Sequence, residues 1–147
     1  MEEGLDEELA AVLRDIDAQC AVRPVVRREA SWLTLYAPDG SGAGLNEPCG
    51  TRPGERLADL ADQVQEWAVE ALWGAGLPAV WPVCPAHPDT HPLAAAVRDG
   101  EAVWSCPRTG AAVARVGELP GAAEAAEGEG PAGVRRRGRR SRCSGRR

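Results

Sequence analysis

Apolar residues recur along this chain in two rhythms, one helical and one alternating. In "LDEELAAVLRDI", Leu5, Leu9, Val12, Leu13 and Ile16 keep the i, i+4, i+7, i+8, i+11 spacing of one helix face, and acids crowd the first turn, where the macrodipole favours negative charge. This predicts a helix over residues 5–18, closed by Cys20 as a small apolar residue. "ERLADLADQVQEWAVEALWGAG" carries the strongest periodicity. Leu57, Leu60, Ala61, Val64, Ala68 and Ala71 form a stripe opposite Asp59, Asp62, Gln63, Glu66 and Glu70, Pro53 suits the first turn, and Gly74 or Gly76 supplies the stop. Trp67 and Trp73 flank that stripe and are expected to pack in the core rather than stack on a ligand. "VVRREASWLTLYA" is β-branched and aromatic and ends at the turn sequence "PDGSG". A strand over residues 25–37 is expected to turn back toward Leu45 as a hairpin, with Leu33 and Leu35 entering the core from one face and Trp32 or Tyr36 from the other.

Further on, "VRDGEAVWSC" reads as a turn at Asp99 and Gly100 leading into a strand that delivers Cys106 at its end, and "AVARV" is one more alternating run. "GAAEAAEGEGPAG" holds no large apolar residue to offset the entropy of being fixed, so it is expected to be a flexible linker. The pattern as a whole predicts an α+β fold: an N-terminal helix, a β-hairpin, a long amphipathic helix, a small β module and a disordered Arg-rich tail. The expected units are an α+β body over 1–77, a module packed on it over 78–118, and a disordered linker and basic tail over 119–147. Leu, Ile, Val and Phe together number only 26 of 147 residues, so the core is thin, and small domains of this kind often rely on a disulfide, a metal or a partner.

Charge divides the chain unevenly. Residues 135–147 carry eight Arg and no acid, or +8, while residues 1–134 carry nine Arg against 22 acids, or −13, giving the net −5. An Arg tail of that kind supports weak, nonspecific nucleic-acid binding, while an acidic body repels the phosphate backbone. The same Arg, Gly and Ser composition also suits a solvated end, or GC-rich coding read in a shifted frame. Lysine is absent, which removes P-loop and Schiff-base chemistry. "MEEGLDEELAAVL" has an acidic start unlike a signal peptide, and no apolar run reaches the length of a membrane span, so a cytoplasmic protein without membrane contact is expected. Five cysteines, an odd number in a reducing compartment, favour metal ligands or buried thiols over a disulfide framework.

The chemistry concentrates in "VCPAHPDTHPLAAAVRDGEAVWSCPRTG", residues 83–110, which holds both histidines of the chain. Cys84, His87, His91 and Cys106 offer the thiolate sulfur and imidazole nitrogen that zinc prefers, and four such groups closing a tetrahedron make a structural site. Cys49, in "NEPCGTRPG", is expected to be structural rather than a spare ligand, and Cys143 an exposed thiol in the tail.

"CPAH" and "CPRTG" resemble the two knuckles of a zinc ribbon, a family in which two Cys-Pro-x-Cys-Gly turns at hairpin tips grip one zinc ion. The likeness covers about residues 78–117. His87 stands where the first knuckle has its second cysteine, and Thr109 where the second knuckle has its last, so the resemblance implies either His91 as fourth ligand or a ribbon that has lost its metal. The layout of "DQVQEWAVEALW", then "WP", then the Cys-Pro-x-His-Pro turn is also similar to that of small proteins of GC-rich bacteria, a group that implies no activity.

Two function classes follow. One is a noncatalytic binding or adaptor protein, pinned by structural zinc and meeting a protein partner through a flat tryptophan-bearing surface. The other is a metal-dependent hydrolase in which zinc keeps a position open for water beside Thr109, with Glu101 or Asp89 as general base. No HExxH motif and no Gly-x-Ser-x-Gly elbow is present, and two thiolates are too few for a rubredoxin-like iron site.

Overall fold

The computed structural model describes residues 2–29 and 32–121. The fold is α+β. A first helix, α1 (Glu2–Gln19), leads into a three-stranded antiparallel sheet of β1 (Val25–Glu29), β2 (Trp32–Tyr36) and β3 (Gly42–Leu45). The long helix α2 (Pro53–Gly74) follows, then a second antiparallel sheet of β4 (Ala94–Arg98), β5 (Glu101–Ser105) and β6 (Ala112–Arg115). Helix α2 lies at the centre, packed against α1, β3, β4 and β5. Its stripe fills the middle of the core, with Leu60, Ala61, Val64 and Ala68 fully buried against Val12, Ile16 and Leu35. The Glu55 carboxylate, in the first turn, accepts from the Thr51 and Arg52 N–H groups and so caps the helix start. Among the described residues no helix is long and apolar enough to cross a membrane.

The single strand expected over 25–37 is two strands. The two strands pair antiparallel with Glu29 opposite Trp32, although "REASW" contains no Gly, Pro, Asn or Asp to separate them. Leu33 and Leu35 face inward as expected, with Leu45 buried beside them, but Trp32 is 61% exposed and Tyr36 only half-buried. On their face of the sheet β1 contributes Val25, Arg27 and Glu29, and β3 only Gly42 and Gly44. The Tyr36 ring lies where Gly42 has no side chain, since a Cβ there would come within 2.7 Å of it.

Trp67 is buried, but Trp73 is 77% exposed, correcting the expectation of two core indoles. Six residues at about 100° each place Trp73 about 120° around the helix from Trp67, off the buried stripe.

In the second sheet the Asp-Gly turn stands where it was expected. Arg98 pairs with Glu101, and both residues between them have positive φ (Asp99 54°, Gly100 80°), the backbone of a tight two-residue hairpin. Its tip rests on the start of α2. A Cβ at Gly54 would fall 2.2 Å from the Gly100 carbonyl oxygen, so this contact needs glycine. Past β6 the chain stays packed, with Leu119 buried. Of the linker and Arg-rich tail expected over 119–147, residues 122–147, with Cys143, lie outside the described residues.

Candidate metal centre

Two backbone turns deliver the ligand-type residues. The first hangs from a loop closed at its neck by the Val83–Pro92 bridge and by the Leu93 N–H donating to the Pro82 carbonyl at 2.9 Å. Gln65, on α2, donates through one side-chain amide to the carbonyls of Trp81 (3.0 Å) and Leu93 (2.6 Å), holding both ends of that loop. Gln19, on α1, accepts from the Val83 N–H at 3.1 Å and donates to the Pro120 carbonyl at 3.0 Å. Within the loop His87 N–H donates to Cys84 C=O (3.0 Å) and Thr90 N–H to His87 C=O (3.1 Å), so two successive turns bring His91 back beside His87. The second turn follows β5: Gly110 N–H donates to Cys106 C=O at 2.7 Å, and Gly110 takes the positive φ (82°) that closes it.

Cys84, His87, His91 and Cys106 come together as expected, each offering one ligand atom, all within 4.8 Å of one another. The shorter separations are His87 Nδ1 to His91 Nε2 at 3.1 Å, to Cys84 Sγ at 3.5 Å and to Cys106 Sγ at 3.6 Å, with Cys106 Sγ to His91 Nε2 at 3.9 Å. A zinc tetrahedron built from bonds of about 2.05 Å to nitrogen and about 2.3 Å to sulfur has N–N edges near about 3.3 Å and N–S edges near about 3.6 Å. The observed separations follow those edges. Both sulfurs are buried and both imidazoles half-buried.

The surrounding groups orient these atoms. His91 Nδ1 lies 3.0 Å from the Pro92 carbonyl, a contact in which the ring donates, leaving Nε2 unprotonated toward the cluster. Burial pushes the Cys84 thiol up despite N–H groups of Ala86 and His87 directed at its sulfur. Burial acts the same way on Cys106, but the Thr109 N–H and hydroxyl, the Arg108 N–H and Cys84 together bring that thiol below its ordinary value. The His87 ring is held below the usual imidazole range by desolvation, then by the charges of Arg108 and His91. All of these directions favour the metal-binding forms except that of Cys84.

Thr109 has a different place from the one its position in the knuckle suggests. Its hydroxyl accepts from the Ala111 N–H at 3.1 Å and bonds to the Cys106 sulfur, supporting a ligand-type residue from outside the cluster. Glu101 is at the far end of β5, about 16 Å from Cys106 along an extended strand, and pairs with Arg115 at 3.4 Å. Asp89 is exposed at the loop tip. Cys20 is a buried free thiol at the end of α1, whereas Cys49 is disulfide-bonded, against the expectation of thiols without a disulfide, and donates its N–H to the Asp59 carboxylate at 3.1 Å; neither joins the cluster.

A buried polar contact ties α1 to the second sheet and to the segment after it. Asp15, on α1, is 1% exposed, and its carboxylate accepts from Trp104 Nε1 (2.8 Å), Gly117 N–H (2.6 Å) and Leu119 N–H (3.0 Å). Burial raises its pKa, opposed by those three donors and by Arg14. Trp104 in turn meets Trp81 edge to face at 5.3 Å between ring centroids. The signal was present: Asp15 and Gln19 fall i+3 and i+7 from Val12 on the apolar face of α1, where an unpaired polar group is costly.

Compared with known protein families, with curated proteins and with solved structures, the chain matches none.

Proposed function

We propose that this chain is a small noncatalytic binding or adaptor protein whose C-terminal half is a zinc-ribbon-like module held by one structural zinc ion. Cys84, His87, His91 and Cys106 would hold the ion, and the agreement of their separations with the edges of a zinc tetrahedron carries the reading. Two thiolates and two imidazoles in this arrangement suit zinc over magnesium or calcium, which take oxygen ligands. What zinc supplies in such a closed set is folding free energy, because the ligands converge only in the folded chain. The hydrolase alternative has less support: His91 Nε2, 3.1 Å from His87 Nδ1, would fill the corner that Thr109 was expected to leave open, and Glu101 stands at the far end of β5. A partner protein, and weak nucleic-acid binding through 135–147, belong to the same proposal and rest on composition alone.

Elemental analysis of the purified full-length protein tests the metal. We expect one zinc per chain, and cobalt(II) in its place giving the visible bands of a tetrahedral site with sulfur-to-metal charge transfer. Metal-free protein that neither binds zinc nor gains thermal stability from it would overturn the reading. Zinc-dependent turnover of generic ester, phosphoester or peptide substrates would replace the adaptor with the hydrolase.

A further inference from the structure

Strand β1 is exposed along its whole length. Among the described residues it pairs with β2 on one side only, so its other edge presents backbone groups that no described strand pairs. Val26 shares the inward face of the sheet with Leu35, its partner across the ladder, and with Leu33 and Leu45 beyond, yet it is 38% exposed where they are buried. The apolar layer of this sheet therefore stops at an open margin. Val25, on the other face, is 56% exposed.

The order of charges along this edge indicates what completes it. The segment reads Arg23-Pro24-Val25-Val26-Arg27-Arg28-Glu29, with Arg23 at its start, Glu29 at its end and two further Arg just before Glu29. Its two end residues are complementary to each other when the strand is laid antiparallel on a second copy. With the two-fold axis at Val26, Val26 meets the partner's Val26, Val25 lies beside the aliphatic stem of the partner's Arg27, and Arg23 faces the partner's Glu29 at both ends. An axis at Arg27 or at Arg28 would instead set two guanidinium groups directly opposite each other, which is unfavourable, so charge selects the register. The ladder ends at Pro24, which has no N–H to extend it. Arg23 is free to exchange partners, because its present pair with Asp17 (3.3 Å) is largely exposed on both sides. Glu29, held by the Tyr36 hydroxyl at 3.0 Å, is already oriented on the outer face.

We propose that β1 pairs antiparallel with β1 of a second copy about Val26, joining two three-stranded sheets into one continuous sheet. The test is sedimentation velocity of the full-length protein from about 5 to about 500 µM, a span suited to a weak interface of this small size. We expect a monomer–dimer equilibrium. Val26→Arg sets like charges on the axis and should weaken it at least about tenfold, with the far-UV circular dichroism of the monomer unchanged. Arg23→Glu alone should weaken it too, and Arg23→Glu combined with Glu29→Arg should restore it. Because Glu29→Arg removes the acceptor for Tyr36, far-UV circular dichroism accompanies that pair, and Val26→Arg decides the matter if the double variant is unfolded. A monomer at every concentration, or a dimer that Val26→Arg leaves intact, overturns the proposal.

Discussion

Losing one sulfur from a set of four ligand-type residues leaves three, which hold zinc more weakly and only with water in the fourth position, whereas losing a support leaves all four. Cys106→Ser should therefore abolish stoichiometric zinc and lower the thermal midpoint sharply, while Thr109→Ala, which removes only a hydroxyl bonded to the same sulfur, should retain zinc with about 10- to 100-fold weaker affinity. Competition with a chromophoric chelator checks both. Acid should expel the ion. His87 has a lowered folded pKa, so its contribution is present above the ordinary imidazole value of about 6.5 and is lost as pH falls through the lower folded value; zinc release in a pH titration should be centred below that ordinary value. Away from the cluster, Asp15→Ala strips the acceptor from three N–H donors, two of them on backbone at Gly117 and Leu119. We expect a loss of about 3 kcal/mol in urea unfolding, more than a single surface pair supplies.

Among the elements, those with a strong period and a marked stop were legible in advance. Helix α2 and the Asp-Gly hairpin emerged where their sequences put them, because stripe, caps and turn chemistry agreed. The division into β1 and β2 was not legible, since "REASW" holds no Gly, Pro, Asn or Asp, and β4 was missed because "AAAVR" favours a helix until β5 supplies a ladder beside it. The four ligand-type residues were legible from spacing and chemistry; the role of Thr109 was not, because a residue one bond removed from a site leaves no spacing of its own. Contact between α2 and the β4–β5 turn depends on a missing methyl group. Gly54→Ala must move the turn away from a 2.2 Å overlap, and we expect it to cost about 2 kcal/mol, read as a lower urea midpoint with unchanged slope.

At the scale of the molecule, the second sheet and its loop are tied to both helices, through Gln65 on α2 and through Gln19 and Asp15 on α1. Removing zinc should therefore not release residues 83–110 alone. Hydrogen exchange of chelator-treated protein should show protection falling first in the loop between Val83 and Pro92 and in the turn after Cys106, with the middle of α2 following at a lower global stability. Unchanged protection throughout would mean that side-chain packing alone holds the module.

The edge-to-face indole pair gives this protein an optical property of its own. Trp81 and Trp104 sit three and two residues before Cys84 and Cys106, with ring centroids 5.3 Å apart at 71°. Two chromophores so close and so fixed couple their excitations, and the sign and size of the resulting circular dichroism depend on their mutual angle. Any event that slides one metal turn past the other rotates one transition dipole against its neighbour, so the state of the centre is written into the absorption of polarised light without a label.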